Sequence, residues 1–161
     1  MTLERLAGIP PGSRVYLDTN IWIYALEGFD PHVQPLTALL GRIDAGELAA
    51  VTSELTLAEL LVKPLQTGLA RLQQTYLDTL QSGPTLTVAP ITRAILVDAA
   101  RLRAQQPALK LPDAIHAATA LACDAPIFVT NDARFSAVDG LTAIVLHAGG
   151  DLPARGVSVG L

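Results

Sequence analysis

The sequence contains a single cysteine, Cys123, in 161 residues. That excludes a disulfide-stapled secreted scaffold and a cysteine-rich zinc site, and it fits a reducing compartment. Charge is sparse too. Only 16% of residues are charged while 50% are hydrophobic, far too apolar a balance for a disordered chain. No apolar run reaches the roughly 18 residues that a membrane span needs. The opening stretch MTLERLAGIPPGSR lacks the basic-then-apolar layout of a secretory signal. A cytoplasmic protein with no membrane association is therefore expected. Basic residues are in deficit: 15 acidic side chains face 11 basic ones, for a formal net charge of -4. This argues against binding nucleic acid by bulk positive charge. It leaves open a nucleic-acid enzyme that works through metal ions. The absence of GxxxxGKS, GxGxxG and GxSxG elements removes P-loop, dinucleotide and hydrolase-elbow readings. Repeats and low-complexity tracts are also absent.

What is present is an alternation. Short apolar runs at 14–18 (RVYLD), 48–52 (LAAVT), 85–89, 126–130 (PIFVT) and 142–146 (TAIVL) read as strands. Between them, helices are expected over 20–27, ended by Gly28, and over 33–45, ended by Gly46. A helix over 54–62 follows, with Ser53 as N-cap and Pro64 as its limit. Residues 69–80 are amphipathic, with Leu69, Leu72, Tyr76 and Leu80 at helical spacing. Further helices are expected over 91–106, between Pro90 and Pro107, and from Pro112 to about residue 123, with a short helical piece at 133–138. Strands alternating with helices imply an α/β fold, with helices on both faces of a mostly parallel sheet. The length suits one domain over residues 1–161. Its core spans about 14–146, and the Gly- and Pro-containing tail 147–161 is expected to be loosely ordered.

In such sheets ligands bind beyond the carboxyl ends of the strands. Asp18 closes the first strand in LDTN and Asp132 follows the fourth in VTND. Glu59 lies about a turn and a half into the helix after Ser53, and Asp113 opens the helix after LKLP. Each has an ordinary explanation. Asp18 can cap a helix, Asp113 suits a first helical turn, Asp132 suits a turn, and Glu59 has Lys63 at i+4. Glu59 fits least well, because Leu57, Ala58, Leu60 and Leu61 surround it. A buried carboxylate needs a partner or a metal. Four converging carboxylates repel one another unless a cation joins them. A set offering only hard oxygen ligands suits Mg²⁺ or Mn²⁺ and not zinc. One or two such ions would activate water and stabilise the leaving oxygen in phosphodiester cleavage. LDTN lacks the glycine of an aspartic-protease DTG and has no second copy, so that reading falls away.

The segments YLDTNIWIYAL, TSELTLAELL and LPDAIHAATALACDAPIFVTND, followed by ARF, carry a family pattern in order and spacing from residue 15 to about 146. The chain resembles the PIN-domain ribonucleases, and specifically VapC-type toxins of toxin–antitoxin pairs. The resemblance implies a PIN-like three-layer α/β/α sandwich. It also implies a metal-dependent endoribonuclease in which Asp18, Glu59, Asp113 and Asp132 hold Mg²⁺ or Mn²⁺. It further implies Asn20, Ser53, Thr56, Thr130 and Asn131 as polar positions orienting carboxylates or metal-bound waters, a homodimer, and inhibition by a small VapB-like antitoxin. Two alternatives stand beside it: a PIN-like interaction module without catalysis, and a metal-dependent phosphoesterase acting on DNA or small phosphate esters. Lys63, Lys110 and Arg134 are the candidates for phosphate contacts. His116 lies three residues after Asp113, but in an Ala-rich helix it reads as a packed residue. Trp22 and Tyr24 read as core.

Overall fold

The computed structural model describes residues 2–28 and 30–147. In chain order the elements are α1 (Thr2–Ala7), β1 (Arg14–Leu17), α2 (Thr19–Glu27), α3 (Asp30–Asp44), β2 (Ala49–Ser53), α4 (Glu54–Thr67), α5 (Ala70–Thr79) and β3 (Leu86–Ala89). They continue with α6 (Arg93–Gln105), α7 (Leu111–Ala122), β4 (Ile127–Thr130), a 3-10 turn (Ala133–Ala137) and β5 (Thr142–Val145). The five strands form one sheet in the order β3-β2-β1-β4-β5. Every pairing is parallel, so the sheet is wholly and not just mostly parallel.

The period-2 alternation of the strands divides the core. Val15, Leu17, Val129 and Ile144 face a cluster completed by Leu6, Ile21, Trp22, Leu36, Leu39, Leu60 and Tyr76 from α1 to α5. Tyr16, Val51, Phe128, Ala143 and Val145 face the other side, against Ala117 and Ala120 of α7 and Phe135 of the 3-10 turn. Helix α7 is buried from Ala114 through Ala120. Its small side chains let it lie close to the sheet while α6 packs on its outer side through Ile95 and Ala99. The result is three layers, as expected.

Two features depart from the sequence expectation. Helix α4 does not stop at Pro64 but runs through it to Thr67. The proline removes one hydrogen-bond donor, yet its side chain is buried. Its carbonyl accepts from the backbone N–H groups of Gly68 and Leu69 and from Gln73 Nε2, which ties the last turn of the helix to the start of α5. Helix α1 has no counterpart in the sequence reading. It buries only Leu6, so it has no readable period. It is held by long-range bonds instead: Arg5 donates to the Ala143 carbonyl on edge strand β5 at 2.9 Å. Arg42 of α3 donates to the carbonyls of Leu6, Ala7 and Ile9 while pairing with Glu47 at 2.8 Å. Of the expected loose tail, His147 is exposed and the rest lies outside the described residues.

Candidate active site

Strand β1 has β2 on one side and β4 on the other. The chain therefore winds outward from β1 through β2 to β3, then returns to β4 and β5. The crevice past the ends of β1 and β4 is the switch point of the sheet, where parallel α/β folds place ligands. Asp18 follows β1, and Thr130 ends β4 with Asn131 and Asp132 after it.

Asp18 caps α2 in an extended conformation. Its Oδ1 accepts from the Thr19 backbone N–H at 2.8 Å and its Oδ2 from the Thr130 hydroxyl at 2.7 Å. It is only 6% exposed. Burial pushes its pKa up, and the His116 charge and these two bonds only partly restrain it. Glu59 projects from the middle of α4. Its Oε1 accepts from the Thr19 hydroxyl at 3.0 Å and from His116 Nε2 at 2.5 Å. The other ring nitrogen of His116 meets the Tyr16 hydroxyl at 2.7 Å. His116 is buried. Burial pushes its pKa down, but the Glu59 hydrogen bond and the charges of Asp18, Glu59 and Asp113 outweigh it, and the net direction is upward. Burial, reinforced by the Asp18 charge, holds the Tyr16 phenol far above its ordinary value, so it remains an O–H.

Asp113 sits in the first turn of α7, and its Oδ2 accepts from the Lys110 backbone N–H at 3.2 Å. Asp132 caps the 3-10 turn through the Arg134 backbone N–H at 2.9 Å. The Arg134 guanidinium then closes on Asp132 at 2.5 Å, approaches Asp113 at 3.4 Å and donates to the Ala108 carbonyl. Burial pushes Asp132 up, but the hydrogen bonds and charge of Arg134 win and hold it below the usual carboxylate range. Thr130 joins the two halves of the site, since its hydroxyl donates to Asp18 and accepts from the Asp132 N–H at 3.1 Å.

The four carboxylates thus reach one sheet edge as two pairs: Asp18 with Glu59, and Asp113 with Asp132. Among the described residues, no three His, Cys, Asp or Glu side chains converge as a ready-made ion cage. The proposed polar surround divides. Thr130 contacts Asp18 directly. Asn20 donates to Asn131 at 2.9 Å, and Asn131 donates to the Tyr24 hydroxyl at 2.8 Å, forming a rim beside the crevice. Ser53 and Thr56 do not touch the carboxylates. Ser53 caps α4 through the Leu55 N–H, and the Thr56 hydroxyl pairs with Thr52, which donates to the Leu17 carbonyl. Lys63 and Lys110 are exposed. Glu59 forms no ion pair with Lys63 among the described residues; its partners are Thr19 and His116. The Arg134 side chain is 42% exposed, but its guanidinium is already engaged by Asp132 and Asp113.

Sequence reasoning gives no site role to Thr19 or Tyr16 and reads His116 as a packed residue, yet all three are bonded into the carboxylate cluster or to one another. The i, i+3 spacing of Asp113 and His116 was the one available signal for His116. Nothing in the strand pattern separates Tyr16 from its core neighbours.

Comparison with known proteins adds the following. The PIN domain family model matches residues 15–141. No curated protein sequence matches the chain. Among solved structures, VapBC2 from Rickettsia felis, bound to a DNA fragment from its promoter, shares 22% identity at a TM-score of 0.63, over 81% of this chain and 96% of that one. A toxin–antitoxin complex from Klebsiella pneumoniae shares 26% at 0.61, over 81% and 97%. VapBC-5 from Mycobacterium tuberculosis shares 23% at 0.54, over 83% and 99%.

Proposed function

The chain belongs to the PIN-domain family, and from that premise we propose that it is a metal-dependent endoribonuclease and the toxin of a toxin–antitoxin pair acting in the cytoplasm. The observation that carries the chemistry is Asp18. A carboxylate that is 6% exposed at the switch point of the sheet, with burial opposing its charge, is costly unless it meets a cation. The donor set fits Mg²⁺ or Mn²⁺, since the free groups are carboxylate oxygens and both His116 nitrogens are engaged. Asp18, Glu59 and Asp113 would hold the ion, with Asp132 assisting or holding a second. Such an ion, when bound, supplies an activated water and offsets charge on the leaving oxygen. The chain's own part is orientation. Thr19 and Thr130 pin Asp18, Thr19 and His116 pin Glu59, and the helix start pins Asp113. The toxin role draws support from the fold shared with toxin–antitoxin complexes. A small VapB-like antitoxin and a homodimeric assembly belong to the same reading.

The test is direct. Asp113→Asn should fold and lower RNA cleavage by on the order of a hundredfold or more. EDTA should abolish cleavage and added Mg²⁺ or Mn²⁺ should restore it. Cleavage that persists in EDTA would sink the metal reading. Preference for DNA or nucleotides in parallel assays would move the substrate class. Growth arrest on expression, relieved by co-expressing a small adjacent gene product, would establish the toxin role.

A further inference from the structure

We propose that His116, braced by Tyr16, is the positioning residue that fixes Glu59 for metal binding, an inference that rests on the metal-dependent reading above. Three of the four carboxylates come from separate elements: Asp18 follows β1, Glu59 is on α4 and Asp113 is on α7. The Tyr16–His116–Glu59 chain ties these same elements together. Tyr16 is on β1 two residues before Asp18, and that spacing puts both on one side of extended backbone. His116 is on α7 three residues after Asp113, which places both on one helix face. The hydrogen bonds from Tyr16 to His116 and from His116 to Glu59 therefore set the separation of the three carboxylates.

The geometry also selects an oxygen. Both donors to Glu59, the Thr19 hydroxyl and His116 Nε2, meet Oε1. Among the described residues no protein donor meets Oε2, so that oxygen is the one presented to an ion. A carboxylate only accepts, so Nε2 carries a hydrogen whatever the ring's charge. His116 is 2% exposed and Tyr16 fully buried. A residue present only for packing would be apolar there, because a buried imidazole is costly unless both nitrogens are bonded. Both are. Groups that hold a metal ligand from behind in this way are worth about 10–100-fold in metal affinity.

The experiment compares the full-length chain with H116L, H116Q and Y16F. Mn²⁺ binding is measured by calorimetry and electron paramagnetic resonance without RNA, cleavage is resolved into kcat and KM, and melting is followed in EDTA. Leucine keeps the bulk of the side chain and removes both bonds. H116L should remain folded in EDTA, bind Mn²⁺ about 10–100-fold more weakly and lose kcat with KM for RNA unchanged. H116Q restores an N–H toward Glu59 and should recover most of the Mn²⁺ affinity. Y16F removes only the brace and should give a smaller loss, which tests the idea independently if H116L fails to fold. A folded H116L or Y16F that binds Mn²⁺ like the wild type overturns the proposal, as does an H116Q no better than H116L. The two readings separate cleanly. A wild type that binds Mn²⁺ but leaves RNA intact defeats the nuclease reading while the binding series still decides the role of His116. A wild type that binds no Mn²⁺ overturns both.

Discussion

Asp18 and Asp132 lie within one site, joined through Thr130, yet their ionisation is pushed in opposite directions. Asp132 has a guanidinium on it; Asp18 has only neutral donors and a neighbouring imidazole. A buried carboxyl with a raised pKa takes up a proton on folding. Its contribution to stability is present below the unfolded carboxylate pKa, about 3.9, and is lost as pH climbs through the raised folded value. At any pH where the folded carboxyl is ionised, the metal-free fold therefore carries a destabilising charge at Asp18. Asp18→Asn removes that charge and keeps an acceptor for the Thr19 N–H. In EDTA at pH 7 the variant should melt at a temperature equal to or above that of the wild type while cleavage is lost. The difference should shrink as pH is lowered, because the wild-type carboxyl then protonates. Melting curves of both proteins from pH 7 down to 4 check the sign. A variant that is less stable at pH 7, with a gap that does not depend on pH, would show that Asp18 acts mainly as a helix cap. On the proposed reading, the expected outcome would mean that the site trades stability for binding.

The elements were legible to the extent that their signals are local. Five strand runs and the intervening periodic helices emerge in the right order, because alternation and capping residues are properties of neighbours in sequence. Ser53 is a clear case: its residue type and position mark the cap of α4, and its side chain accepts from the Leu55 N–H there. Helix α4 illustrates the limit. Pro64 is a strong stop signal, but the helix continues because its buried side chain and the later Gly68 end compensate. Gly68 adopts φ 69°, the left-handed region, and its N–H closes on the Pro64 carbonyl. Gly68→Ala forces a β-carbon into that conformation and should cost about 1 kcal/mol, read as a lower midpoint in urea denaturation without a change in slope. No loss would mean that the helix end relaxes freely. The site was legible in the same uneven way. Carboxylates at strand ends could be placed at one edge from topology alone. The rotation of a helix about its axis could not, and that rotation decides that Thr56 turns to Thr52 and not to the carboxylates. Nor could sequence show that Arg134 folds back onto Asp132, since a two-residue separation permits many geometries.

At the scale of the whole molecule, the acid excess equals in number the four proposed site carboxylates. Setting Asp18, Glu59, Asp113 and Asp132 aside leaves eleven acidic side chains against 11 basic ones. Asp113 and Asp132 share Arg134, and Glu59 is bonded to His116, so the negative field of the cluster is only partly offset at the crevice that RNA would have to enter. A bound divalent ion inverts that local field. With acids and bases otherwise equal in number, the rest of the chain has no excess positive charge to attract RNA. RNA affinity should then depend on the ion more than on the protein surface. Ca²⁺, an oxygen-seeking ion tolerant of irregular geometry, serves to load the site for a binding assay. Fluorescence anisotropy with a short single-stranded RNA should show binding at least about tenfold tighter in Ca²⁺ than in EDTA, equivalent to roughly 1.4 kcal/mol. Asp113→Asn should erase most of that gain while leaving the weak binding in EDTA unchanged. Equal affinity in EDTA and Ca²⁺ would mean that basic side chains hold RNA unaided. The exposed Lys63 and Lys110 would then become the first residues to neutralise.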